Sequence, residues 1–207
     1  MQALNHHQHR FILSIMRATH DLTLATLRPD GYPQATVVSF VHDDLTLYAG
    51  IGLDSQKAHN IRQHNKVSAT ITPTYTDWQH IRALSLAGTA TMVGDAEENA
   101  HAADLMLFRF PQLRQLLPST ASNWPGAVFV RIDPLLISVL DYEQGFGHTE
   151  LFAVAPDHGT RLPRRLARPV STIAGVHDAL CDSHPDRLAP ESNRAVHRRS
   201  GAADAPR

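Results

Sequence analysis

The residues best suited to chemistry stand in one run, Leu53-Asp54-Ser55-Gln56-Lys57-Ala58-His59-Asn60-Ile61. The run follows a strand-like apolar segment and two glycines, Gly50 and Gly52, and it opens a short helix expected from about Ser55 to His64. Asp54 or Ser55 can cap that helix, and the N–H groups of its first turn then point outward with partial positive charge. Such a terminus attracts phosphate. Ser55 adds a hydroxyl donor and Lys57 a full positive charge, so the three groups together can hold a phosphate monoester. A capped surface helix with a solvated lysine is the plainer reading of the same residues.

A second segment, Leu140-Asp141-Tyr142-Glu143-Gln144-Gly145-Phe146-Gly147-His148-Thr149-Glu150, places two glycines around an aromatic residue and follows them with His148. A neutral imidazole there can take or give a proton near pH 7, while the alternative is a glycine-rich turn carrying a surface histidine. The chain has 14 histidines, but no helical pair is joined by a third ligand at a usual metal spacing, so no metal site is expected. Trp78 and His80 precede a strand and are expected to pack at a rim, and Trp124 to cover one end of the fold.

The elements that must position these residues follow from apolar periodicity. Phe11, Ile12, Ile15 and Met16 recur at helical spacing, which predicts a helix over 8–19, ended by Asp21. Strands are expected at Leu22–Leu27 and Gln34–Val41, joined by the turn Arg28-Pro29-Asp30-Gly31-Tyr32-Pro33. A tight turn at His42-Asp43-Asp44 leads to a strand at Leu45–Ala49, which Gly50 and Gly52 should break. Further strands are expected at Lys66–Thr72 and Ile81–Val93, with Gly88 marking a bulge or corner. A helix over 95–117 follows, and then Val128–Tyr142 as a strand pair or one strand bent at Pro134. Consecutive strands with short turns and few helices predict a mainly β fold with flanking helices, an antiparallel barrel, and not a doubly wound nucleotide-binding sheet.

Composition sets the limits. The 207 residues suffice for one core without staples, and the single cysteine, Cys181, rules out an intrachain disulfide and points to a reducing, cytoplasmic setting. No apolar run approaches the ~18 residues of a membrane span, and the N-terminus lacks the pattern of a secretory signal. The net charge of -1 gives no reason to expect nucleic acid or membrane as partner. Residues 1–154 form the expected folded domain, with 10 basic and 14 acidic side chains; 155–207 carry nine basic and six acidic ones in an Arg/Pro/Ala-rich tail. That tail is expected to be partly disordered, with one short helix over 172–182.

Six stretches in order, Leu24–Leu27, Pro29–Pro33, Ala35–Phe40, Leu47–Gly50, Asp54–Ile61 and Lys66–Ile71, resemble the pyridoxamine 5′-phosphate oxidase-like family of FMN-binding split barrels, as does Leu86–Ala90. The resemblance spans roughly residues 15–150. It implies a six-stranded antiparallel split β-barrel, a homodimer with flavin at the subunit interface, and oxidoreductase chemistry on a small-molecule substrate that the family does not specify. It also implies that Thr36, Val37, Val38 and Ser39 run along the flavin ring, that Gly50 and Ile51 pass near the ribityl phosphate, and that Ser55, Gln56 and Lys57 clamp that phosphate. His148 is the remaining candidate for cofactor contact. Gln56 stands where the pyridoxamine-phosphate-oxidising enzymes carry arginine, Ala35 or Thr36 replaces their basic strand residue, and their C-terminal Arg-x-His-Asp-Arg motif is absent. These departures imply a relative that is not a true pyridoxamine phosphate oxidase. Within the same barrel type the alternatives to FMN are a deazaflavin (F420) reductase, a haem-binding or haem-degrading protein, and a flavin-binding module without turnover.

Overall fold

Alternation of apolar and polar side chains decides the strands, and it is cleanest in the six residues Lys66–Ile71, where every second side chain is buried. The computed structural model describes residues 2–116 and 126–154. In chain order the elements are β1 (Gln2–Ala3), α1 (His6–Arg17), β2 (Asp21–Leu27), β3 (Pro33–Asp43), β4 (Thr46–Gly52), α2 (Gln56–Gln63) and β5 (Lys66–Ile71). A 3-10 turn at Trp78–His80 then leads to β6 (Arg82–Met92), α3 (Ala96–Arg109), α4 (Leu113–Leu116) and β7 (Ala127–Asp141). A second 3-10 turn, Tyr142–Gln144, precedes β8 (Thr149–Ala153).

The strands make one sheet in the order β1-β8-β7-β4-β3-β2-β5-β6, and pairing of β6 with β7 closes six of them into a barrel. Closure removes the free edges that an open sheet would present. The barrel is split because β3 and β4 pair only from Phe40↔Ala49 to Asp43↔Thr46, while on its other edge β4 stays paired with β7 from Leu47↔Ile132 out to Gly52↔Ala127. β7 does change neighbours, from β4 over Ala127–Ile132 to β8 over Leu136–Leu140, with β1 added in parallel outside. α1 is fixed by a capping box between Asn5 and Gln8 and buries Ile12, Leu13, Ile15 and Met16 against the barrel core. α3 packs on the outside of the barrel, where Ala102, Ala103, Met106 and Phe110 meet Val41, Tyr48 and Phe129.

Several expectations are corrected. The first helix ends at Arg17 with Ala18 as its C-cap, and Asp21 begins β2 instead of ending α1. β3 runs on through His42 and Asp43, and the turn is made by Asp44, whose φ of 53° is left-handed. Gly50 and Gly52 do not break β4, since pairing with Phe129 and Ala127 keeps them extended. The helix expected over 95–117 divides into α3 and α4, with Pro111 between them unable to continue α3. The segment expected as Val128–Tyr142 is one strand, Ala127–Asp141, with Tyr142 already in the 3-10 turn, and β1 and β8 are additional to the six expected. Gly88 does mark an irregularity: β7 carries one extra residue, Leu135, opposite the Ala87/Gly88 step, and a Cβ on Gly88 would overlap the Asp133 carbonyl oxygen. The tail from 155, its helix over 172–182, Cys181 and Trp124 lie outside the described residues. Among the described residues no helix is long and apolar enough to cross a membrane.

Candidate functional site

The split leaves a usable strand edge. Phe40 donates its N–H to the His20 carbonyl at 3.0 Å, so its backbone faces β2. In an antiparallel ladder successive residues face opposite neighbours, so Thr36 and Val38 also face β2. Ala35 and Val37 turn their N–H and C=O the other way, to the edge of β3 that the pairing with β4, confined to Phe40–Asp43, does not reach. Side chains follow the same alternation: Val38 and Phe40 are buried, whereas Val37 is 69% exposed. Val38 and Ile51 therefore serve the core with their side chains, and the expected run of Thr36 and Val38 along a flavin ring is corrected, because their backbone groups are turned to β2. Ser39 stands where the gap opens, its hydroxyl donating to Asp21 Oδ1 at 2.6 Å, and Gly50 lies across from it. Thr36 Oγ1 is buried without a hydrogen-bond partner among the described residues.

The far end of β4 delivers the chain to α2. Ser55 is its N-cap, accepting from Ala58 N–H at 3.3 Å and donating to the Gly52 carbonyl at 2.7 Å. The hydroxyl is thus committed to the turn. The Gln56 and Lys57 amides of the first turn, by contrast, take no acceptor among the described residues, which is the ordinary condition of a helix start and the basis of its affinity for anions. The Gln56 side chain is not free either: its Nε2 donates to Asn60 Oδ1 at 2.9 Å.

Asn60 is the residue that sequence reasoning missed. It is fully buried and donates through Nδ2 to Thr26 Oγ1 at 2.9 Å and to Gln34 Oε1 at 3.2 Å, tying α2 to β2 and β3. One signal was available, a polar residue on the helix face shared with buried Ala58 and Ile61.

His148 lies apart from this set, in the β7–β8 loop. Its carbonyl accepts from Asp141 N–H at 3.1 Å and its N–H donates to the Gly145 carbonyl at 3.0 Å, while Nε2 is buried without a partner among the described residues. Phe146, 83% exposed, stacks on Trp78, itself 66% exposed, with centroids 6.4 Å apart. Arg82 pairs with Glu143 and approaches Asp141 at 3.5 Å, and Arg131 is held by Asp133 and Glu98, so these arginines are engaged within the protein. Burial lowers the Arg131 pKa, but its bonds to Asp133 and Glu98 outweigh that, and the net direction is upward. Among the described residues no group of three His, Cys, Asp or Glu side chains is placed to hold a metal ion.

The set fits a planar, phosphate-bearing group in three respects: an open strand edge beside a gap, a helix start with two unbonded amides and Lys57, and an unpartnered Thr36 hydroxyl. It fits less well in one, because the Ser55 hydroxyl and the Gln56 side chain are already bonded. For haem the described residues offer one buried, unpartnered imidazole nitrogen, that of His148.

Comparison with known proteins gives the family and the fold. A family model described as pyridoxamine 5′-phosphate oxidase matches residues 11–135, more than half of the chain. Solved structures share the fold. A haem-binding protein from Mycobacterium smegmatis superposes with a TM-score of 0.57 at 18% identity over 67% of this chain, which spans 55% of that protein. HutZ, the haem storage protein from Vibrio cholerae, gives 0.53 at 20% identity over 70% of this chain and 92% of that one. A conserved hypothetical protein from Mycobacterium tuberculosis gives 0.57 at 22% identity, covering 76% and 96% of the two chains. At these identities the likeness is one of fold alone. No curated protein matches the sequence.

Proposed function

The chain belongs to the pyridoxamine 5′-phosphate oxidase family, and from that membership we propose that it is an FMN-binding flavoprotein acting as an oxidoreductase on a small molecule. The observation that carries this reading is the open edge of β3 beside the gap, with the start of α2 at the end of β4. Ala35 and Val37 would meet the polar edge of the flavin ring through their N–H and C=O groups, with Ser39 at one end. The Gln56 and Lys57 amides and the Lys57 ammonium would hold the phosphate, with Asn60 fixing the helix that carries them. Bound FMN supplies the electron-transfer chemistry; the protein's part is to bind, orient and exclude water. The second subunit of a homodimer would cover the gap, where Val37 leaves its apolar side chain exposed. Without the arginines of the pyridoxamine-phosphate-oxidising enzymes, phosphate binding here rests on one lysine and on backbone, so affinity for FMN is modest and the substrate differs from theirs.

The test is a flavin titration. Lys57→Ala is expected to weaken FMN roughly tenfold to a hundredfold and to leave riboflavin, which lacks the phosphate, nearly unchanged. Equal losses for both would reduce Lys57 to a structural role. A second reading, haem binding through His148, draws support from its unpartnered Nε2 and from the haem-binding proteins that share the fold. The two are separated by the spectrum of the purified protein, a flavin band against a Soret band, and by whether His148→Ala abolishes it.

A further inference from the structure

The short 3-10 turn ahead of β6 holds one imidazole in a setting suited to a metal. Asp77 caps that turn, accepting from the Gln79 N–H at 2.9 Å, and its two carboxylate oxygens meet His80 Nδ1 at 2.7 and 2.8 Å. The bond to His80, the largest effect, keeps the Asp77 carboxyl below its ordinary pKa. At pH 7 Asp77 is therefore an anion that can only accept, so Nδ1 carries the proton and neutral His80 keeps a bare lone pair on Nε2. That lone pair is within reach: the side chain is 58% exposed, and Nε2 takes no partner among the described residues. Other imidazoles differ. His9 and His101 spend Nε2 on Asp44 and Asp43, His42 and His59 set Nδ1 on backbone carbonyls, and His148 has Nε2 shut inside. The turn is held in place, because Tyr142 N–H donates to the Ile81 carbonyl at 3.0 Å and Arg82, which keeps its full charge, is bonded to Glu143. It also carries aromatic surface, since Trp78 stacks on Phe146 and both are largely exposed.

An imidazole whose Nδ1–H is fixed on a carboxylate is oriented and made more basic at Nε2, the support that metal-ligating histidines receive. The described residues offer no three-ligand group for a bare ion, but a metal already held by the nitrogens of a macrocycle needs only one further donor from the protein. We infer that His80 Nε2 is the axial ligand of an iron porphyrin, with Asp77 as the positioning residue behind it. The macrocycle is wider than a turn that rises about 2.0 Å per residue, so it also covers neighbouring side chains, and the Trp78–Phe146 stack supplies apolar surface for it. The site shares no residue with the β3 edge or the α2 start and does not depend on the flavin reading. It deepens the haem reading above, on which it rests, by giving it a ligand whose nitrogen is accessible where that of His148 is not.

The experiment is a haemin titration of the full chain at pH 7, followed by the Soret band and, after reduction, by the spectrum of the ferrous form. His80→Gly is expected to abolish the histidine-ligated spectrum and added imidazole to restore it, a rescue that a folding defect would not allow. His59→Ala and His148→Ala should leave the spectrum unchanged. Asp77→Asn can still cap the turn, so the fold is kept; it should weaken haemin roughly tenfold to a hundredfold and raise the reduction potential of the iron, because a less basic imidazole favours the ferric state less. Phe146→Ala should weaken binding with the ligation unchanged. An unaltered spectrum in His80→Gly would overturn the assignment. So would loss of ligation in His148→Ala alone, which would keep the haem reading and return its ligand to that residue. A parent chain that does not bind haemin removes both, while an FMN titration run beside it decides the flavin reading by itself.

Discussion

Asn60 shows how a single buried amide can set the aim of a site it does not enter. Its bonds to Thr26, Gln34 and Gln56 leave few of its polar atoms unmet, and Asn60→Ala would strand the Thr26 hydroxyl in the interior. The expected cost is about 1–3 kcal/mol, read as a lower urea midpoint, and FMN affinity should fall with it while the Lys57 side chain stays in place. Gln56→Arg works in the opposite direction: it supplies the guanidinium that the related enzymes carry, and tighter FMN binding with unchanged riboflavin binding is the expected outcome of a fluorescence titration. The Ser55–Lys57 run could be read from the sequence because a helix cap is a local event. Asn60 could not be weighed, because its partners lie 34 and 26 residues away and only the closed barrel brings them to it.

Elements succeed or fail here by their neighbours. At Gly88 the β6 backbone passes so close to Asp133 that Gly88→Val must push the two strands apart; a loss of about 1–3 kcal/mol in thermal or urea unfolding is expected. The bulge was legible from a lone glycine inside an apolar alternation. β8 was not, since Phe152 is its only fully buried side chain and pairing with β7, not periodicity, holds it. Gly50 and Gly52 misled for a related reason: their weak strand preference is overridden by partners on β7. The β3–β4 hairpin carries a pH signature. Burial, the largest effect, holds the His42 pKa below 6.5 against the Asp44 carbonyl bond that raises it, and Arg17 and Arg109 lower it further. The protonated ring is thus better tolerated in the unfolded chain. The stability that neutral His42 contributes is complete above about pH 6.5 and is lost as pH falls from there through the lower folded-state value. His42→Gln should flatten this dependence, seen as a smaller drop in urea midpoint between pH 7.5 and pH 5.5.

For the whole molecule the decisive question is what covers the split. Tyr32, 71% exposed, and Val37, 69% exposed, put apolar surface on one hairpin beside the gap, and a second copy of the chain is the proposed cover. Sedimentation at micromolar concentration is expected to give a dimer, and Val37→Asp a monomer with weakened FMN binding; a monomeric parent protein would remove the shared site. Removing residues after 160 should leave the dimer intact, and its loss would move the domain boundary. β7 is the strand that closes the ring, pairing with β4 on one side and β6 on the other. On a ribosome it is among the last strands to be made. Until residues 127–141 have left the exit tunnel, the earlier strands present two unsatisfied backbone edges at once, each able to join another nascent chain. Slowed translation just before Ala127 should therefore raise aggregation more than an equal pause after Asp141, a vulnerability in synthesis that the finished barrel no longer displays.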